Sequence, residues 1–280
     1  MKNFLLETDV ITVDGLSIRY AKGGTSKGPP LLLTSPWPQS VQAFHAIWPL
    51  LQDVGPLVAV DLPGFGRSQF RADLMTPATM GGFIVKIAEA FGLKRVHAVS
   101  PDIGTSAALF AASQKPSMFE SVIVGSGGTS MDLVGAGLRS VIEGPLSEID
   151  GGSDGQIVAD RIKRLSRNQP PADALEDYRL SSAEGRYKAA AAYVRAYPSD
   201  LPRLHDLLPS IKTPTLVISG KTDPLVPPGN GDLLVEGLPH ARGEIVDAGH
   251  FVWEDEPEIY AGLIVDWVRG GSQSLIAETL

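Results

Sequence analysis

Residues 98–105 read Ala98-Val99-Ser100-Pro101-Asp102-Ile103-Gly104-Thr105. An apolar run at residues 96–99 leads into this stretch, and a small-residue helix pattern at 105–112 leads out of it. The pattern is that of a strand, a sharp turn and a helix. Such a turn strains the backbone at its central residue, so its neighbours must be small for strand and helix to approach closely. Ser100 and Gly104 meet that demand, two places before and two after Asp102.

Working outward, alternating apolar residues at 10–13 and 16–20 flank Asp14-Gly15, the signature of a β-hairpin. Residues 30–34 and 57–60 are continuous apolar runs, as expected of parallel strands buried on both faces. The stretch 41–51 between them reads as a helix. Residues 79–91 read as an amphipathic helix closed by Gly92, and 121–124 as another strand. This alternation predicts an α/β fold with a doubly wound, mostly parallel sheet. After Gly125-Ser126-Gly127-Gly128 the rhythm changes, and residues 129–209 carry helix patterns without a buried strand. One helix is expected over 183–197, opened by a capping box from Ser181 to Glu184 and stopped by Pro198. Strands resume at 214–219 and 243–246, and a last helix is expected over 256–268. The expected organisation is a core domain of residues 1–128 and 210–280, with a helical cap of 129–209 inserted. The acidic run 254–258 reads as ordinary charge at a helix N-terminus.

The 280 residues are 43% hydrophobic and 20% charged, an ordinary globular composition, and the net charge of −8 disfavours nucleic acid and anionic membranes as partners. The absence of cysteine excludes disulfides and thiolate metal sites. No His/Asp pair has helical ligand spacing, so no metal or other cofactor is expected. The first apolar stretch is too short for a signal peptide and is interrupted by Glu7 and Asp9. A cytoplasmic protein is the expectation, with homodimerisation left open.

Asp102, Asp223 and His250 each follow a predicted strand, in the order nucleophile, acid, histidine. Carboxyl ends of parallel strands are where catalytic groups converge in open α/β sheets. From about residue 31 to 269 the chain resembles the α/β-hydrolase superfamily, and its aspartate turn resembles the epoxide hydrolase and haloalkane dehalogenase branch. Asp61-Leu62-Pro63-Gly64-Phe65-Gly66-Arg67-Ser68 matches the family's Asp-x-x-Gly-x-Gly-x-Ser turn. Ser35-Pro36-Trp37-Pro38 occupies the place of its His-Gly-x-Pro oxyanion loop, with Ser35 and Pro36 as departures. The resemblance implies an eight-stranded α/β-hydrolase fold with an inserted cap, and an oxyanion hole made by the backbone N–H groups of Trp37 and Ile103.

A carboxylate at the turn suits a saturated carbon. Serine alkylated there becomes an ether that water does not cleave, whereas aspartate becomes an ester with its own electrophilic carbonyl. Water activated by His250, itself oriented by Asp223, then regenerates Asp102. Epoxides and alkyl halides both fit. An epoxide needs a phenol donor for the alkoxide, and four of the six tyrosines fall in the cap: Tyr178, Tyr187, Tyr193 and Tyr197. A halide needs N–H donors, yet none of the four tryptophans lies there, and Ile103 stands where most haloalkane dehalogenases place tryptophan and fluoroacetate dehalogenases arginine. The expectation is therefore an epoxide hydrolase acting on a small apolar substrate. Tyr193 is the family-like donor, with Tyr178, Tyr197 and Phe251 as further substrate contacts. Two alternatives stand beside it: a dehalogenase with a halide site built from Trp37 and cap hydroxyls, and a non-catalytic binding or accessory protein that keeps the fold.

Overall fold

Asp14 and Gly15 both take positive φ, 50° and 78°. They form the two-residue turn joining β1 (Thr8–Val13) to β2 (Leu16–Gly24), with Val13 opposite Leu16. The computed structural model describes residues 5–279. The remaining strands are β3 (Leu31–Thr34), β4 (Pro56–Val60), β5 (Val96–Pro101), β6 (Phe119–Gly125), β7 (Thr215–Gly220) and β8 (Ala241–Val246). They build one eight-stranded sheet in the order β1-β2-β4-β3-β5-β6-β7-β8. β1 with β2 and β2 with β4 pair antiparallel; every other neighbour is parallel. β3, β5 and β7 are buried along their whole length, which is why they appear in the sequence as unbroken apolar runs.

Helix α1 (Pro77–Ala90) starts at Thr76, whose side chain accepts the Thr79 N–H. It ends at Gly92 (φ 69°), where Leu93 N–H bonds Ala88 O and Gly92 N–H bonds Glu89 O. It packs on α2 (Gly104–Gln114), the helix that leaves the turn. The helix expected over 41–51 is instead a 3₁₀ turn (Val41–Phe44) and a separate short helix (Trp48–Leu51). Pro49 has no N–H and is tolerated only in a first turn, and the Val41 N–H is taken by Asp61 Oδ1 at 2.8 Å.

Between β6 and β7 the chain forms α3 (Ala136–Glu143), α4 (Gln156–Leu165), α5 (Ala172–Ser182), α6 (Arg186–Arg195) and α7 (Tyr197–Leu207). The single helix expected over 183–197 is thus corrected to the end of one break and two helices. Glu184 and Gly185 take φ of 55° and 78°, so Ser181–Glu184 is no capping box. Pro198 lies in the first turn of α7, where its missing N–H costs nothing, and it begins that helix rather than ending one. Helices α8 (Gly229–Gly237) and α9 (Pro257–Asp266) flank β8. Among the described residues, no helix is long and apolar enough to cross a membrane.

The inserted helices are tied to the sheet by buried charge. Arg19 of β2 donates to both Asp177 oxygens of α5, each at 2.9 Å, and Ser40 Oγ donates to Oδ1 at 2.5 Å. The acidic run at 254–258 is another such tie. Glu254 is buried and accepts from Tyr178 Oη (2.6 Å) and Gln39 Nε2 (2.5 Å). Asp255, also buried, accepts the Gly249 and Arg167 N–H groups. The acids do sit in first helical turns, as expected, Glu254 and Asp255 in a short helix (Val252–Asp255) and Glu258 in α9, and two of them are internal acceptors as well.

Candidate active site

Asp102 follows the last residue of β5 with φ 54°, a left-handed conformation that aspartate tolerates better than most residues. Its N–H bonds Gly125 O at 2.9 Å and its carbonyl accepts the Thr105 N–H at 3.0 Å, which locks the turn from both sides. The close approach anticipated from Gly104 is present: a Cβ there would stand 2.5 Å from Thr34 Oγ1 and 3.1 Å from Ser100 Cβ. Gly127 is constrained alike, since a Cβ would reach 2.3 Å from the Asp102 carbonyl.

The Asp102 side chain is divided between two neighbours. Oδ2 accepts the Trp37 backbone N–H at 2.7 Å, and Oδ1 faces His250 Nε2 at 3.6 Å, beyond hydrogen-bond length. His250 Nδ1 meets Asp223 Oδ2 at 2.7 Å. Asp223 Oδ1 accepts the N–H groups of Leu225 and Val226, so the acid is fixed by the loop after β7. The pairing assigns the Nδ1 proton to Asp223 and leaves Nε2 for the space beside Asp102. Burial disfavours the imidazolium, but the carboxylates of Asp223 and Asp102 outweigh it and push the His250 pKa up to about 10. The Ile103 N–H has no acceptor among the described residues.

Asp102, Trp37, His250 and Phe251 open on a cavity of about 470 Å³ beneath the inserted helices. Leu138, Val141, Ile149, Ile162, Leu165 and Val226 make most of its wall apolar. The structure does not bring Tyr193, Tyr178 or Tyr197 to this wall. Tyr193 lies behind the turn, donating to Ile103 O at 2.8 Å and meeting Ser106 Oγ at 3.3 Å. Tyr178 is spent on Glu254, and Tyr197 packs edge-on against Tyr193. The phenol at the cavity is Tyr187, at the start of α6, stacked on Trp37 with ring centroids 4.9 Å apart and planes 15° from parallel. Burial raises its pKa, while the adjacent Arg161 works against that rise. Arg161 also lines the cavity, with its guanidinium 5.6 Å from the Tyr187 ring centroid. Neither Tyr187 nor Arg161 is singled out by a sequence motif; only their stacking across two distant segments marks them.

The Asp61 turn is structural. Its carboxylate accepts the Val41 and Arg67 N–H groups, and Gly66 leaves room for it, since a Cβ there would fall 2.1 Å from Asp61 Cγ. Residues 29–257, running from before β3 through the turn and beyond the histidine, match the alpha/beta hydrolase fold family. The chain belongs to that family. Its relatives include the uncharacterized hydrolase YugF of Bacillus subtilis (strain 168), 26% identical over 276 residues that cover 92% of this chain and 96% of YugF. The 2-hydroxy-6-oxononadienedioate/2-hydroxy-6-oxononatrienedioate hydrolase 2 of Pseudomonas putida is 24% identical, with 79% of each chain covered. Among solved structures, the haloalkane dehalogenase DbeA of Bradyrhizobium elkani USDA94 superposes with a TM-score of 0.80 at 19% identity, covering 96% of this chain and 99% of the other. That last likeness speaks for the fold alone.

Proposed function

We propose that the protein is a hydrolase that opens an epoxide to a vicinal diol through a covalent ester on Asp102. The observation that carries the reading is the divided carboxylate: Oδ2 already rests on the Trp37 N–H while Oδ1 lies free of hydrogen bonds beside His250 Nε2. Oδ1 attacks the saturated carbon and the C–O bond of the epoxide breaks, its electrons passing to the alkoxide, which takes a proton from Tyr187. The ester carbonyl oxygen is then Oδ2. Water, deprotonated by His250 Nε2, adds to the ester carbon, and the charge that develops on Oδ2 meets the Trp37 N–H, with the Ile103 N–H as second donor. Collapse releases the diol, and the proton on His250 passes back through solvent to the Tyr187 phenolate. Asp223 serves as the orienting acid.

Ester formation also readies its own base. Alkylation neutralises Asp102, one of the two carboxylates that hold the His250 proton, so the imidazolium is less favoured and Nε2 is freed of its proton when the ester needs water activated. An acyl substrate of the kind named for the Pseudomonas relative suits this turn less well, because attack by a carboxylate on an acyl carbon gives an anhydride rather than an ester.

A second reading, dehalogenation, rests on Trp37, whose ring lines the cavity and whose indole N–H has no acceptor among the described residues. One experiment separates these readings from each other and from a non-catalytic role. The His250→Gln protein, incubated with epoxides and alkyl halides, is expected to gain the mass of an epoxide on Asp102, found by peptide mass spectrometry. Adducts only from halides would favour dehalogenation; adducts on another residue, or none from any reagent, would refute the carboxylate nucleophile. Asp102→Asn is expected to lower turnover by at least about 10³-fold.

A further inference from the structure

Two guanidinium side chains on the α4 wall, Arg161 and Arg164, take no part in the reaction above, and Arg161 is the more buried of them. It lies on α4, is half-buried, and lines the same cavity as Asp102 and His250. Among the described residues its polar contacts are with Tyr187 alone: a 3.4 Å approach of Nη1 to the phenol oxygen and the guanidinium–ring contact. No carboxylate among the described residues pairs with it, although the chain carries 32 acidic residues. Arg167 and Arg179, nearby in sequence, are tied to Asp247 and Glu176. A half-buried guanidinium with spare donors in an apolar cavity bears a desolvation cost that an anionic ligand would offset. Arg164 adds a second positive charge to this wall, and Glu148, an exposed residue of the same cavity, forms an ion pair with neither.

Position explains why such a ligand would be oriented. Asp102 repels an anion, whereas the Arg161 side of the cavity attracts one, so an acid enters with its carboxylate away from the nucleophile. We propose that Arg161 binds the carboxylate of the substrate, which makes the electrophile opened at Asp102 part of an epoxy acid rather than an uncharged epoxide. This replaces the expectation of a wholly apolar substrate and rests on the epoxide reading for its reaction, though not for its binding.

The test compares a set of ω-epoxyalkanoates of increasing chain length with their primary amides. In the native protein kcat/KM for the best acid is expected to exceed that of its amide by about tenfold or more, as for a charge-assisted pair. In Arg161→Gln this ratio falls to near one, and Arg161→Lys restores part of it. A ratio of one or less in the native protein at every length, or an equal loss for acid and amide in Arg161→Gln, overturns the proposal. Calorimetric titration with saturated alkanoates and alkanamides reads the subsite without any reaction. Alkanoate binding that is lost in Arg161→Gln, with no epoxide turned over, upholds the anion subsite and counts against the epoxide chemistry. Alkanoates that bind no better than alkanamides overturn the subsite.

Discussion

In the proposed reaction the Asp102 carboxylate supplies both the attacking atom and the future oxyanion; its Oδ2 accepts the Trp37 N–H and its Oδ1 faces His250 Nε2. The raised His250 pKa has a definite consequence for pH. Alkylation does not need neutral His250 but ester hydrolysis does, so lowering the pH is expected to make the alkyl-enzyme accumulate, as read by quenched mass spectrometry. Asp223→Asn removes a group that raises this pKa and is expected to bring the imidazole titration down toward its ordinary 6.5, followed by ¹⁵N NMR. Turnover should fall about 10³–10⁴-fold with the tautomer no longer held. Tyr187→Phe is expected to slow alkylation by epoxides about 10²-fold and to leave alkylation by halides nearly unchanged. An equal loss with both electrophiles would take the proton-donor role from Tyr187. Sequence order was enough to single out Asp102, Asp223 and His250. It could not choose among the tyrosines, because Tyr187 and Tyr193 lie six places apart, roughly 120° around a helix, and only the break at Glu184–Gly185 fixes which face meets the cavity.

Among the elements, the β5–α2 turn is closely packed. Gly104→Ala must displace Thr34 Oγ1 or Ser100, and a cost of about 1–3 kcal/mol in urea unfolding is expected. The contact between α5 and the segment before α9 makes a different prediction. Burial raises the Glu254 pKa to about 7, against the opposing hydrogen bonds from Tyr178 and Gln39. A raised acid pKa contributes stability that is complete below its unfolded value of 4.5 and is lost as pH rises through 7. The melting-temperature advantage of the native protein over Glu254→Gln should therefore shrink between pH 4.5 and 7, by several degrees in calorimetry; a constant or growing difference would contradict it. Strands and the end of α1 were legible because their signals are local: alternation, unbroken apolar runs and Gly92; the Thr76 cap was not read, and the helix begins two residues before the expected 79. The acidic run does lie at helix starts, as read, but the burial of Glu254 and Asp255 was not legible because it depends on partners such as Tyr178, 76 residues away.

Across the whole molecule, the inserted helices and the sheet meet through the Arg19–Asp177 pair, with Asp61 at 3.5 Å from the same guanidinium. Arg19→Met takes the buried cation from two buried carboxylates, leaving Asp177 only the half-exposed Arg67 at 3.6 Å, and is expected to cost about 3–5 kcal/mol. Hydrogen exchange should quicken first in α5 and α6; exchange that rises uniformly over the sheet would mean the pair does not specifically hold the cap.

The local pattern of residues by itself determined the parallel sheet, the strained turn and the placing of Asp102, Asp223 and His250 after strands, because each is written in short-range periodicity and chain order. Tertiary structure alone decided which phenol reaches the Asp102 cavity, that a guanidinium shares that cavity, and that Glu254 and Asp255 are internal. Those facts depend on how helices rotate and which distant segments touch, and rotation about a broken helix leaves no repeat in the sequence to read.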